Sequence, residues 1–237
     1  MKSILPLAGV LAVSITAASA ASITVNTAGT VNGNAKTVVE ATGNSLNLTT
    51  FASDLAIAYA NNTGGVWNLE GDSSGDAFTV GTSETITFNY GASLTNSLVM
   101  TVTSGGGGID RASAGTEPTS GDFLLGLTGD ASTRTFTLDT PLLTIAIFNT
   151  DRNDAGRVPV LTVTYQDTTT ASTSGANADD VYFHGLTGTM ANPIVSFSLS
   201  QNNFVRYDDL GFIAVPEPSP VLLLGLAGVG AFLRRRH

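Results

Sequence analysis

The chain has 237 residues, 42% of them hydrophobic and only 12% charged, with no cysteine. All 19 acidic residues lie between Glu40 and Glu217, while Lys2, Arg234, Arg235 and Arg236 sit at the ends, leaving six basic residues against 19 acidic, a net −13. That balance excludes nucleic acid as a partner, since phosphate binding needs a basic footprint. The lack of cysteine leaves stability to a packed core rather than to disulfides.

The first twenty residues have the three parts of a secretory signal. Lys2 supplies the charge, residues 4–15 form a mostly apolar run, and Ala18-Ser19-Ala20 gives the small-x-small pattern that a signal peptidase accepts. Cleavage is expected after Ala20. The body, residues 21–214, then reads as strands. Ile86, Phe88 and Tyr90 alternate with polar neighbours, as do Leu98, Met100 and Val102. Phe136 and Leu138, then Leu161, Val163 and Tyr165, then Val195, Phe197 and Leu199 repeat the pattern. Residues 142–148 are more continuously apolar, as expected of a strand buried on both faces. Shorter candidate strands are residues 23–25, 37–40, 46–50, 55–59, 66–69, 123–127, 180–183 and 210–214. Gly/Asn/Asp/Ser clusters at residues 61–65, 73–75, 105–108, 151–156 and 168–177 read as loops. Short strands at this spacing, with no helical period, predict an all-β, two-sheet antiparallel sandwich of jelly-roll type.

Candidate chemistry in the body is thin. Gly71-Asp72-Ser73-Ser74-Gly75 fits G-x-S-x-G, but no helical pattern follows it and the body holds one histidine, so it reads as a turn. One histidine and no cysteine cannot build a zinc site. Calcium needs only oxygen ligands, and structural-calcium candidates are Asp179 and Asp180 with Asp208 and Asp209. Asp72 with Asp76, and Asp151 with Asp154, are weaker groups. Trp67, after a Gly-Gly pair, is the aromatic singled out as a possible ligand contact. His184, beside Tyr182 and Phe183, is read as a packed or surface residue. Spacing does not locate paired carboxylates for glycoside hydrolysis, and the body has only four Glu, at positions 40, 70, 84 and 117. No cofactor and no enzymatic activity are expected.

The C-terminus is more specific. Val215-Pro216-Glu217-Pro218-Ser219-Pro220 cannot join a central sheet and forms an extended spacer. Residues 221–233 are uncharged, and Arg234-Arg235-Arg236-His237 closes the chain. As a helix that run spans roughly 20 Å, short of the roughly 30 Å bilayer core, and the arginines hold their end on the cytoplasmic side. With the N-terminus exported, the body is expected outside the cytoplasmic membrane.

These residues resemble the PEP-CTERM sorting domain of Gram-negative exported proteins. The resemblance implies Pro216, Glu217 and Pro218 as the recognition element for an exosortase, residues 221–233 as the membrane helix and Arg234, Arg235 and Arg236 as the stop. It further implies a surface or exopolysaccharide-matrix destination, as in biofilms. Tyr207-Asp208-Asp209-Leu210-Gly211-Phe212 is similar, more loosely, to the strand that ends the jelly roll in such proteins. Three functions remain open: a non-enzymatic surface or matrix protein, a tethered carbohydrate-binding module in contact with exopolysaccharide, and a polysaccharide-active enzyme.

Overall fold

The computed structural model describes residues 28–31, 34–67, 85–102, 109–113, 123–127, 133–150, 158–176, 181–200 and 206–216. Within them the chain runs β1 (Ala28–Val31), β2 (Asn34–Glu40), α1 (Leu48–Ala60), β3 (Gly64–Trp67), β4 (Thr85–Tyr90), β5 (Asn96–Val102) and β6 (Ile109–Ser113). It continues through β7 (Phe123–Leu127), β8 (Thr133–Thr150), β9 (Val160–Tyr165), β10 (Thr170–Ser174), β11 (Val181–Thr187), β12 (Ile194–Ser200) and β13 (Arg206–Ala214). The signal segment, the candidate strand at residues 23–25 and the whole hydrophobic tail lie outside the described residues.

The all-β class holds, with a different organisation from the one expected. All 13 strands join one curled mixed sheet rather than two separate antiparallel ones, so the jelly-roll order does not emerge. The cause is β8, whose 18 residues fuse two segments that read separately in the sequence. Its first half pairs with β12 and β5, and its second half with β11 and β13. The exchange of partners falls around Pro141, which has no N–H to give a ladder. There Ile194 faces Leu142 while Ser196 already faces Thr137, so the partner strand skips over residues 138–141. β2 and β11 run parallel, through Val181 opposite Val38, which a jelly roll would not contain.

The curl closes on one core. Leu98 and Met100 of β5, Phe136 of β8, Leu161 of β9 and Phe197 of β12 share a cluster with Ile145, Leu210 and Phe212 from the other half of the sheet. Phe136 stacks on Phe197 at 4.6 Å between ring centroids, and Tyr90 of β4 meets Phe212 edge-on at 5.0 Å. Expectation and structure agree for residues 142–148: Leu142 and residues 144–149 are buried.

The second face of that segment is covered by a helix where the sequence pattern reads two short strands. Residues 46–50 and 55–59 belong instead to α1 and its entry. Phe51, Leu55 and Ala58 recur at helical spacing and are buried, and Asn47 caps the first turn by accepting from Thr50 N–H at 2.8 Å. Glu40 Oε1 accepts a second free donor of that turn, Leu48 N–H, at 3.0 Å. Phe51 and Leu55 pack on Ala146, Phe148, Val181 and Phe183, each large side chain worth about 1.5–3 kcal/mol of burial. The loop expected at residues 168–177 also contains a strand, β10, which pairs with β9 along the whole of its length. Its Thr-Ala-Ser-Thr-Ser sequence carries too little apolar signal to show alternation.

Candidate functional site at the end of the last strand

β13 brings the chain from the middle of the sheet to the tail. β8 flanks it on one side, while β7 and β3 pair with successive parts of it. Each residue of 207–212 has a packing task. Tyr207 is fully buried and donates its hydroxyl to Ser200 O at 3.1 Å, and burial drives its pKa upward. Asp209 and Leu210 form a bulge, since Asp208 faces Phe148 while Gly211 faces Ala146. Asp208 Oδ1 accepts Asp209 N–H at 2.8 Å, and Asp209 adopts φ +48°, a left-handed conformation that Asp tolerates better than most residues. Leu210 and Phe212 enter the core. Gly211 is required by α1: a Cβ there would lie 2.6 Å from the Phe51 ring.

The strand ends at a braced rim. Ala214 N–H donates to Thr63 O at 2.7 Å and Val215 N–H to Pro141 O at 2.9 Å, so the backbone is held up to the residue before Pro216. Pro216 itself is exposed. Three segments build the rim: the turn after α1 (residues 61–63), the β4–β5 turn (residues 91–95) and the bend of β8 (residues 139–141). Asn62 Oδ1 accepts both Ser93 N–H and Ser93 O–H at 2.7 Å, Asn96 Nδ2 donates to Asn62 O at 2.6 Å, and Asp139 Oδ1 accepts Val99 N–H at 2.9 Å. Between them and the departing chain opens a cleft of about 450 Å³, lined by Asn61, Asn62, Thr95, Asn96, Ser97, Asp139, Thr140, Val215 and Pro216 among others.

Other residues singled out in the sequence are placed elsewhere. Trp67 is 8% exposed and lies in the core cluster, paired through β3 with Leu210, so it offers no stacking face to a ligand. The Gly-Gly pair before it serves the packing: a Cβ on Gly65 would fall 2.7 Å from Tyr90 Cβ. Asp208 and Asp209 are buried at the bulge's edge and in it, respectively, whereas Asp179 and Asp180 lie outside the described residues, as do Asp72, Asp76, Asp151 and Asp154. Among the described residues no group of three or more acidic or histidine side chains could hold a metal. His184 is fully buried: Nε2 lies 3.1 Å from Asn149 Oδ1 and Nδ1 lies 2.8 Å from Thr173 Oγ1. With Asn149 presenting its oxygen, the ring carries its proton on Nε2 and accepts the Thr173 hydroxyl proton at Nδ1. Burial pulls its pKa down from 6.5 to about 3, so the ring is neutral at physiological pH. Asn149 and Thr173 give no signal of this in the sequence, because the three residues come together only across β8, β11 and β10.

Of the sorting residues, Pro216 stands at the exposed end of the rim, while Glu217, Pro218, Arg234, Arg235 and Arg236 lie outside the described residues. Among the described residues no helix is long and apolar enough to cross a membrane. The family model of the PEP-CTERM protein-sorting motif matches residues 214–236, so the match begins at the last residue of β13. That tail implies export, membrane-anchored sorting and processing by exosortase, a membrane enzyme. No curated protein matches the chain.

Proposed function

We propose that this chain, whose tail carries the PEP-CTERM sorting motif, is a non-enzymatic protein of the cell surface or exopolysaccharide matrix of a Gram-negative bacterium. The observation that carries this is the junction. The motif begins at Ala214, the last residue of β13, and the backbone is hydrogen-bonded up to Val215. The body therefore hands the Pro-Glu-Pro segment to the enzyme from a fixed point. Pro216, Glu217 and Pro218 act as the recognition element, residues 221–233 hold the chain in the membrane, and Arg234, Arg235 and Arg236 set its depth. The acidic body stays outside and is released or transferred when the tail is processed.

A carbohydrate-binding role has less support, because most of the Trp and Tyr side chains it would use are inside and only Tyr59 and Tyr165 are half-buried. Trp67, Tyr90, Tyr182 and Tyr207 are all buried.

In a host with a matching exosortase, replacing Pro216, Glu217 and Pro218 by alanine leaves export intact and blocks processing. The uncut form then accumulates in the membrane fraction, while the parent appears as a shortened chain in the surface or matrix fraction. Mass spectrometry of the C-terminus reads the difference. Equal cutting of the alanine variant and the parent would reduce the tail to a plain anchor and end the proposal.

A further inference from the structure

We infer that the rim around the departing chain is a docking surface for the exosortase, with Leu94 as its apolar contact. This rests on the sorting function proposed above and adds to it a contact between enzyme and body.

The first observation is a length. Among the described residues Val215 is the last one pinned to the sheet, and the apolar run starts at Val221. The residues between, 216–220, reach at most about 17 Å even fully extended. An enzyme that grips Pro216, Glu217 and Pro218 must therefore work against the end of the body from which they emerge. That end is the rim of residues 61–63, 91–95 and 139–141.

The second observation is Leu94. It is 60% exposed and holds φ +52° at the tip of the β4–β5 turn. A left-handed leucine costs on the order of 1–2 kcal/mol in backbone energy, while its side chain stays mostly in solvent. Asparagine or glycine would suit the left-handed backbone of this turn better than leucine. Its neighbours are fixed in place, Ser93 by the Asn62 side chain and Thr95 by its hydroxyl contact with Ser93 at 2.7 Å. The apolar group is thus presented on a rigid base beside the exit of the tail.

The third observation selects the partner. Among the described residues lining the cleft, Asp139 is the one charged side chain and none is basic. Nothing there draws the rim to anionic headgroups, which are bound through Lys and Arg. A polar surface with a single acid and an apolar projection beside it suits a protein contact instead.

The test is Leu94→Asn in the full chain, assayed for tail processing alongside the alanine variant of Pro216, Glu217 and Pro218. Asparagine accepts the left-handed backbone, so the melting temperature of the body should hold or rise. Losing one buried leucine contact should slow processing roughly tenfold. A flexible insertion of about 20 Gly/Ser residues between Val215 and Pro216 uncouples rim from tail. It should bring the parent down to the level of Leu94→Asn, and adding Leu94→Asn should then change nothing further. A photo-reactive residue at position 94 should capture the exosortase. Unchanged cutting of Leu94→Asn, with the alanine variant still blocked, would overturn the docking surface and leave the sorting function standing. Normal cutting of the alanine variant would remove both. Capture of lipid in place of the enzyme would assign the rim to the membrane and overturn the inference as well.

Discussion

The two halves of β8 are one strand under two regimes. From Arg134 to Asp139 the side chains alternate, with Arg134, Phe136 and Leu138 buried and Thr137 and Asp139 exposed. From Thr144 to Asn149 every side chain is buried, because the core fills one face and α1 covers the other. The first half shows the period of two that makes a strand legible. The second half has lost it, and its continuous apolar character shows only that both faces are covered, without showing by what. The bend at Pro141 separates the regimes and also holds the tail, since its carbonyl accepts Val215 N–H.

The sharpest way to break that contrast is to truncate one residue in each half. Phe148→Ala empties a site enclosed by Phe183 and α1 and should cost about 3–5 kcal/mol. Thr137→Ala, on the exposed face of the first half, should stay within about 0.5 kcal/mol. Urea midpoints of the two variants read the difference, and similar losses would show that the second face is not packed as described.

Acid should loosen the doubly covered half first. His184 sits there with its pKa lowered to about 3 in the folded chain, against 6.5 for an unhindered histidine. Below pH 6.5 the unfolded chain takes up a proton that the folded chain refuses, so stability falls as pH drops and is unaffected by this group above that value. The slope approaches about 1.4 kcal/mol per pH unit, giving a loss on the order of 3 kcal/mol by pH 4. Denaturation curves across that range, compared with His184→Gln, isolate the contribution. A variant as acid-sensitive as the parent would remove His184 as the cause.

A smaller effect sharpens the role of the helix. Gly211→Ala brings a methyl to 2.6 Å from the Phe51 ring and should cost about 1–3 kcal/mol. Phe51→Leu in the same chain should recover part of that loss, because both changes act on one contact. Additive losses in the melting temperature would mean that α1 does not sit on β13 as observed.

Legibility followed the range over which each feature is determined. Strands with one covered face, such as those carrying Ile86, Leu98, Leu161 and Phe197, declared themselves through local alternation. The helix did not, although Phe51, Leu55 and Ala58 sit at helical spacing. Thr49, Thr50, Ile57 and Tyr59 read as short strands, and only packing on Phe148 and Phe183 selects the helical face. β10 was hidden by its polar composition, and the Thr173–His184–Asn149 group by a sequence separation that only strand pairing bridges.

The sequence by itself determined the tail, because a sorting motif is defined along the chain, by the linear order of prolines, an apolar run and arginines. It also determined the strand class, through a period that needs only one covered face. Tertiary structure alone decided that Trp67 turns inward, that Asp209 and Leu210 make a bulge, and that two apparent strands fuse through Pro141. Each of those depends on which surface meets which across the sheet, and that is settled when residues far apart in the chain compete for the same buried volume.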